Sequence, residues 1–189
     1  MLKKAIRSEF LERRLQFGRQ ELIERTDRMV KLFANLLLPR VNYLLSYYPL
    51  SERNEFDIAL CAAQVQIKFP DVKLSWPRID STTLEMEAYM VQKDGLYAKN
   101  RYNILEPLNG EWIQPELIDL VFVPLIAFDK KGFRVGYGKG FYDRYLTRCR
   151  PEVIKIGFSF FEALERIDDI DGFDVPLSFC ITPSRIYEF

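Results

Sequence analysis

Apolar residues recur at helical spacing in the first part of the chain, so two helices are predicted before any strand. Leu2, Ile6, Phe10, Leu11 and Leu15 form one such stripe, up to Gly18, where a helix can end. Leu22, Ile23, Val30, Phe33, Ala34 and Leu37 form the next, stopped by Pro39. Residues 41–48, VNYLLSYY, are rich in β-branched and aromatic types and predict a strand. Residues 55–69 return to the helical period through Ile58, Cys61, Ala62 and Val65, ahead of Pro70. Strands are predicted at 72–76 and 84–91, and the polar stretch 92–114, with its Gly and Pro, reads as loop. Residues 118–128 form a continuous apolar strand broken by Pro124 near its end. A helix at 141–149, a strand at 153–158, a short helix at 162–166 and a last strand at 179–182 complete the pattern. Alternating strands and helices predict an α/β fold with an open, mostly parallel sheet. Without a repeat or a low-complexity linker, residues 1–189 read as a single domain.

Composition narrows the chemistry. The chain is 48% apolar and 29% charged, ordinary for a globular protein. Its longest apolar stretch, residues 117–128, is too short to span a bilayer and carries Asp119. The opening MLKKAIRSEF has no signal-peptide core or cleavage site, so a cytoplasmic protein with no membrane partner is expected. Cys61, Cys149 and Cys180 are scattered in apolar surroundings, which suits buried reduced thiols. There is no histidine. Mechanisms needing imidazole are therefore excluded, including the Ser-His-Asp triad and His-ligated zinc, and any metal must be a hard, oxygen-bound cation such as magnesium. Net charge is zero but uneven. Residues 1–40 hold ten basic side chains against five acidic, residues 129–150 seven against two, and residues 162–189 two against seven. Two basic pieces converging on a small polyanion fit this better than a nucleic-acid partner, which calls for an overall basic excess.

The chemistry is concentrated in residues 128–145, FDKKGFRVGYGKGFYDRY. Gly132, Gly136, Gly138 and Gly140, four of nine glycines, fall within nine residues between a buried strand and a helix. Glycine lets backbone N–H groups approach an anion, the helix start adds further N–H groups, and Arg134 and Lys139 add charge. A simple turn needs one or two glycines, not four alternating with cations, so a phosphate loop is the stronger reading. It is not a P-loop, because Phe133 stands where the first Gly is required and Gly140 where Ser or Thr is required. It is not the dinucleotide fingerprint either. Asp143, in the first turn of the helix, would repel a phosphate unless a magnesium ion lay between them, and so becomes a metal-site candidate.

On these residues the sequence resembles the 5-formyltetrahydrofolate cyclo-ligase family. VPLIAFDKKGFRVGYGKGFYDRYL carries the most specific likeness, a strand, an FD-x-x-G-x-R turn, a G-x-G-x-G loop and then YD; KKAIR, YPLSE, ILEP and DVPLSFCIT support it. The resemblance implies a three-layer α/β sandwich similar to the ribose-isomerase and CoA-transferase type. It implies ATP as co-substrate, magnesium as cofactor, and conversion of 5-formyltetrahydrofolate to 5,10-methenyltetrahydrofolate with release of ADP and phosphate. The formyl oxygen would attack the γ-phosphate, and the neighbouring folate nitrogen would then close the ring and expel phosphate. ATP binding is implied at Lys3, Lys4, Arg7, Arg134, Gly136, Tyr137, Gly138, Lys139, Gly140, Phe141 and Tyr142, with Lys139 and Arg7 as catalytic groups. Tyr137 stands where some members carry arginine. The folate side is implied at Tyr48, Glu52 and Tyr142, with Glu55 a rival for Glu52 because Arg53-Asn54-Glu55 replaces a Val-Asp-Thr-like run. The metal carboxylates fall on Asp143 and Asp174, the latter preceded by Phe173 where His is usual. A monomer or weak homo-oligomer is expected. The alternative reading is a non-catalytic regulatory relative that binds nucleotide or folate; the presence of Lys139, Arg7 and Asp143 counts against it.

Overall fold

The computed structural model describes residues 1–92 and 95–189. Helix α1 (Lys3–Leu15) buries Ile6, Phe10 and Arg14, and α2 (Arg19–Ala34), capped by Gly18, buries Met29 and Phe33. Three strands follow with a helix between the first two: β1 (Tyr43–Leu45), α3 (Ala59–Lys68), β2 (Lys73–Ile79) and β3 (Met86–Met90). Then come β4 (Tyr97–Lys99), β5 (Leu105–Pro107), β6 (Glu111–Ile113), β7 (Leu120–Val123), β8 (Ala127–Phe128) and β9 (Arg134–Val135). Helix α4 (Phe141–Leu146), β10 (Ile154–Phe158), β11 (Phe179–Ile181) and β12 (Ile186–Glu188) complete the chain.

Eight strands form the main sheet in the order β12-β11-β10-β7-β1-β2-β3-β6. The five central strands run parallel, and β12, β3 and β6 join antiparallel at the edges. Successive strand residues face opposite sides, and β7 shows the consequence. Leu120 and Phe122 pack with Leu44, Ile156 and Ile181 under α1, α2 and α3. Val121 and Val123 pack with Leu45, Cys180, Tyr145 and Leu146 on the α4 side. This is an α/β sandwich with a mostly parallel sheet between two unequal covering layers; among the described residues α4 is the only α-helix on the thinner side.

Several predicted elements change shape. The 92–114 segment holds β4, β5 and β6 rather than loop alone. Each has three residues, too short to show a period: β4 and β5 form a separate two-stranded sheet, and in the edge strand β6 Ile113 is buried while Trp112 is exposed. The 118–128 strand divides at Pro124, and β8 turns away to pair with β9. No helix forms at 162–166: the Leu164 amide donates to Phe128 O and Leu164 O accepts from Lys130, which pins that stretch alongside β8. Helix α4 ends at Leu146, before Cys149. Strand β1 stops at Leu45, which frees Tyr47, Tyr48 and Leu50 to line the cleft described below. Cys61 and Cys180 are buried and Cys149 half-buried, all as free thiols. Among the described residues no helix is long and apolar enough to cross a membrane.

Candidate active site

A cleft of about 900 Å³ opens where the carboxyl ends of β1, β2 and β7 meet the glycine loop, the position at which open α/β sheets bind ligands. Its charged side is formed by Lys3 and Arg7 of α1, residues 136–140, and Asp143, Asp171 and Asp174. Gly138 and Gly140 have φ of +82° and +67°, a region costly for other residues, and Gly140 caps α4. Gly136 has no positive φ, and a Cβ there would meet only Pro124 O at 3.9 Å. Its contribution is its carbonyl, which accepts from Arg7 Nε at 2.8 Å. A Cβ on Gly138 would lie 3.1 Å from the Arg7 guanidinium, so the glycine lets α1 and the loop close on one another. Helix α4 has only six residues, so the loop amides and the cations outweigh its dipole.

Lys139 is exposed, with its ammonium 5.4 Å from the Tyr102 ring centre. Arg134 is committed elsewhere. Its side chain is 6% exposed, and it donates to Asp143 Oδ1 at 2.8 Å and to Val175 O. Burial pulls its pKa down, and the Asp143 carboxylate opposes that shift. The Val175 amide also donates to Asp143 Oδ1, which ties Asp143 to the segment bearing Asp174. Asp174 Oδ2 receives the Lys3 ammonium at 2.5 Å and the Asp171 amide at 2.8 Å. All bonds to each aspartate thus fall on one oxygen, leaving Asp143 Oδ2 and Asp174 Oδ1 without a partner among the described residues. No group of three or more acidic or Cys side chains converges among those residues. Magnesium is commonly held by one or two carboxylates plus substrate phosphates and water, so the donor set fits it.

The other half of the cleft is apolar and aromatic. Tyr48 stacks on Trp76 with ring centres 5.7 Å apart, and Phe141 meets Tyr102 edge-on at 5.6 Å. Tyr142 also lines the cleft, and its buried hydroxyl has no hydrogen-bond partner among the described residues. Lys4, one position from Lys3, is exposed and outside the lining. Glu52 is also exposed and outside it, where it accepts from Asn103 Nδ2 at 3.1 Å. Glu55 does line the cleft, but its Oε2 accepts from the Leu50 amide and its Oε1 from the Tyr137 hydroxyl, both at 2.8 Å.

Sequence reading missed Arg14, Tyr102 and Glu106. Arg14 is a buried cation on the apolar face of α1; it donates to Arg53 O, Leu125 O and the Tyr137 hydroxyl. The loop thereby joins Arg14 and Glu55 through Tyr137, a link that an arginine at this position could not make to Arg14. The available signal was a cation two turns beyond Arg7 inside an apolar stripe. Tyr102 and Glu106 lie in the stretch read as loop, where the ILEP likeness at 104–107 marked Glu106 and nothing marked Tyr102.

Burial pushes the Glu55 carboxyl above its ordinary value of 4.5, against the Leu50 amide, the Tyr137 hydroxyl, Arg14 and Arg53. The folded protein therefore holds this proton more tightly than the unfolded chain. Glu55 then takes stability away as pH rises above 4.5 and through its folded value. Urea unfolding from about pH 4 to about pH 8 should show the unsubstituted protein losing stability relative to Glu55→Gln across that window. Parallel stability curves would contradict the buried-carboxylate account.

Comparison with known proteins agrees with this geometry. A model of the family described as the 5-formyltetrahydrofolate cyclo-ligase family matches residues 2–178. The chain is 40% identical to the 5-formyltetrahydrofolate cyclo-ligase of Mycoplasma genitalium over 73 residues, 38% of this chain and 44% of that one. It is 24% identical to that of Mycoplasma pneumoniae over 96% of this chain and 98% of that one. Among solved structures, the Aquifex aeolicus 5,10-methenyltetrahydrofolate synthetase superposes with a TM-score of 0.79 at 27% identity, covering 100% of this chain and 93% of that one. The Mycoplasma pneumoniae synthetase superposes with a TM-score of 0.73 at 24% identity, covering 97% and 99%, and so shares the fold. With a match from residue 2 to residue 178, a cleft at the carboxyl ends of the parallel strands and the glycine loop within it, the chain belongs to the 5-formyltetrahydrofolate cyclo-ligase family.

Proposed function

We propose that this protein converts 5-formyltetrahydrofolate to 5,10-methenyltetrahydrofolate, using ATP with magnesium and releasing ADP and phosphate. One observation carries the reading: a single cleft is lined both by a cation-bearing glycine loop and by aromatic side chains, among them Tyr48, Tyr102, Phe141 and Tyr142. Family membership supports the same substrates. Lys3, Arg7, Lys139 and the amides of residues 136–140 hold the triphosphate, and Arg134 acts behind them by fixing Asp143. Asp143 and Asp174 would hold the magnesium ion, which supplies positive charge beside the phosphate oxygens.

The aromatic side, with Tyr48, Tyr102 and Tyr142, holds the folate ring. The formyl oxygen attacks the γ-phosphorus, forming an O–P bond as the bond to ADP breaks. The neighbouring folate nitrogen then adds to the activated formyl carbon and loses its proton, and phosphate departs with the former formyl oxygen. No step needs imidazole. The chain supplies orientation and positive charge, from Arg7 and Lys139 above all, and these dominate phosphoryl transfer. The reading is tested by mixing protein, magnesium-ATP and 5-formyltetrahydrofolate and following methenyl absorbance. ATP-dependent product is expected, with one ADP per ring closed; nucleotide or folate binding without turnover would favour the regulatory alternative.

A further inference from the structure

Of the five carboxylates lining the cleft, Asp143, Asp171 and Asp174 belong to the phosphate side, and Glu55 has both oxygens engaged within the protein. Glu106 differs from all of these. It stands in the middle of the small β5 strand, lines the cleft and is 7% exposed. Both of its internal bonds, from the Ile79 amide at 2.9 Å and Asn100 Nδ2 at 2.7 Å, fall on Oε1. Its Oε2 has no partner among the described residues. A carboxylate offers roughly four acceptor sites, so about half of this one's capacity is unused in a largely buried place. Oε2 is not fully enclosed, so it opens to the cleft, where a ligand donor would meet it. Burial of the residue raises its pKa, against the Ile79 amide, Asn100 and Arg78.

The surroundings indicate what should meet that oxygen. Pro77, Ile79, Met86, Tyr102 and Ile104 line the same part of the cleft, giving walls suited to a flat ring. Asn100 fixes Glu106 with its amide nitrogen while its Oδ1 accepts from the Tyr102 and Ile104 amides, so the acid and the Tyr102 wall are set by one side chain. We propose that Glu106, rather than Glu52 or Glu55, reads the donor edge of the pterin, with Oε2 accepting from the ring's 2-amino group. This inference rests on the folate reading above. It makes Glu106 a substrate-specificity residue and Asn100 the residue that positions it.

The test measures binding of 5-formyltetrahydrofolate, and of its analogue with methyl in place of the 2-amino group, to the intact chain and to Glu106→Gln. Glutamine keeps a carbonyl for the Ile79 amide and turns the free acceptor into a donor. The variant is expected to bind the natural folate ~10–100-fold more weakly, as for loss of one charge-assisted hydrogen bond, with unchanged ATP affinity and melting temperature. The unsubstituted protein should discriminate against the methyl analogue by a similar factor, and the variant should not discriminate. Equal binding of both ligands by the unsubstituted protein would overturn the inference without any variant having to fold. So would natural-folate binding by Glu106→Gln at full affinity. Failure of the unsubstituted protein to bind 5-formyltetrahydrofolate at all would overturn the functional reading, and this inference with it.

Discussion

Lys139→Ala is expected to lower kcat/KM for ATP by roughly 10²–10³-fold, the scale seen when one donor to developing transition-state charge is removed. The side chain is exposed, forms no ion pair among the described residues, and sets its ammonium 5.4 Å from the Tyr102 ring centre, so folding does not depend on it. Its melting temperature should therefore match that of the unsubstituted protein, while turnover and ATP binding are measured separately. Lys139→Arg should recover part of the rate, because charge returns but the compact ammonium geometry does not. Full activity in the alanine variant would remove Lys139 from the phosphate site and shift the burden to Arg7 and the loop amides.

Asp143→Ala should damage both fold and function, and the two losses can be separated. Arg134 would stay buried without its carboxylate partner. Removing one member of a buried pair costs about 3–5 kcal/mol, and the value here should lie near 3 because Asp143 is 26% exposed at its side chain. Denaturant unfolding reads that loss. Asp143→Asn keeps the shape and an acceptor for the Val175 amide while removing the charge. Its folding should be affected less, but the magnesium concentration giving half-maximal rate should rise by ~10-fold or more if the carboxylate binds the ion. An unchanged magnesium requirement would leave Asp143 as the anchor of Arg134 and nothing more.

Much of this was legible in the sequence because periodicity and glycine carry strong local signals. The stripe Ile6, Phe10 and the run Cys61, Ala62, Val65 are buried on their helices as their spacing predicts. The apolar run through Phe122 is the central strand of the sheet. Reading failed where tertiary contacts override local pattern. Leu37 fits the helical stripe yet is 90% exposed, since α2 ends at Ala34. Leu164 lies in an apparent helix but bridges to Asp129. The site shows the same division. The glycine loop, Arg7 and Asp143 meet in one cleft, whereas the partners of Glu106 come from positions 79 and 100 and no linear motif could join them. Glu52 and Glu55 stand three positions apart on a short turn, and only the fold distinguishes the exposed one from the inward one.

The central claim is that the cleft sets a formyl oxygen against the γ-phosphate of ATP. Following ¹⁸O from the formyl group of 5-formyltetrahydrofolate through a single turnover tests it directly. The account predicts that the label appears in inorganic phosphate, one labelled oxygen for each methenyl product formed. Unlabelled phosphate alongside methenyl product, with the ¹⁸O released as water, would contradict it.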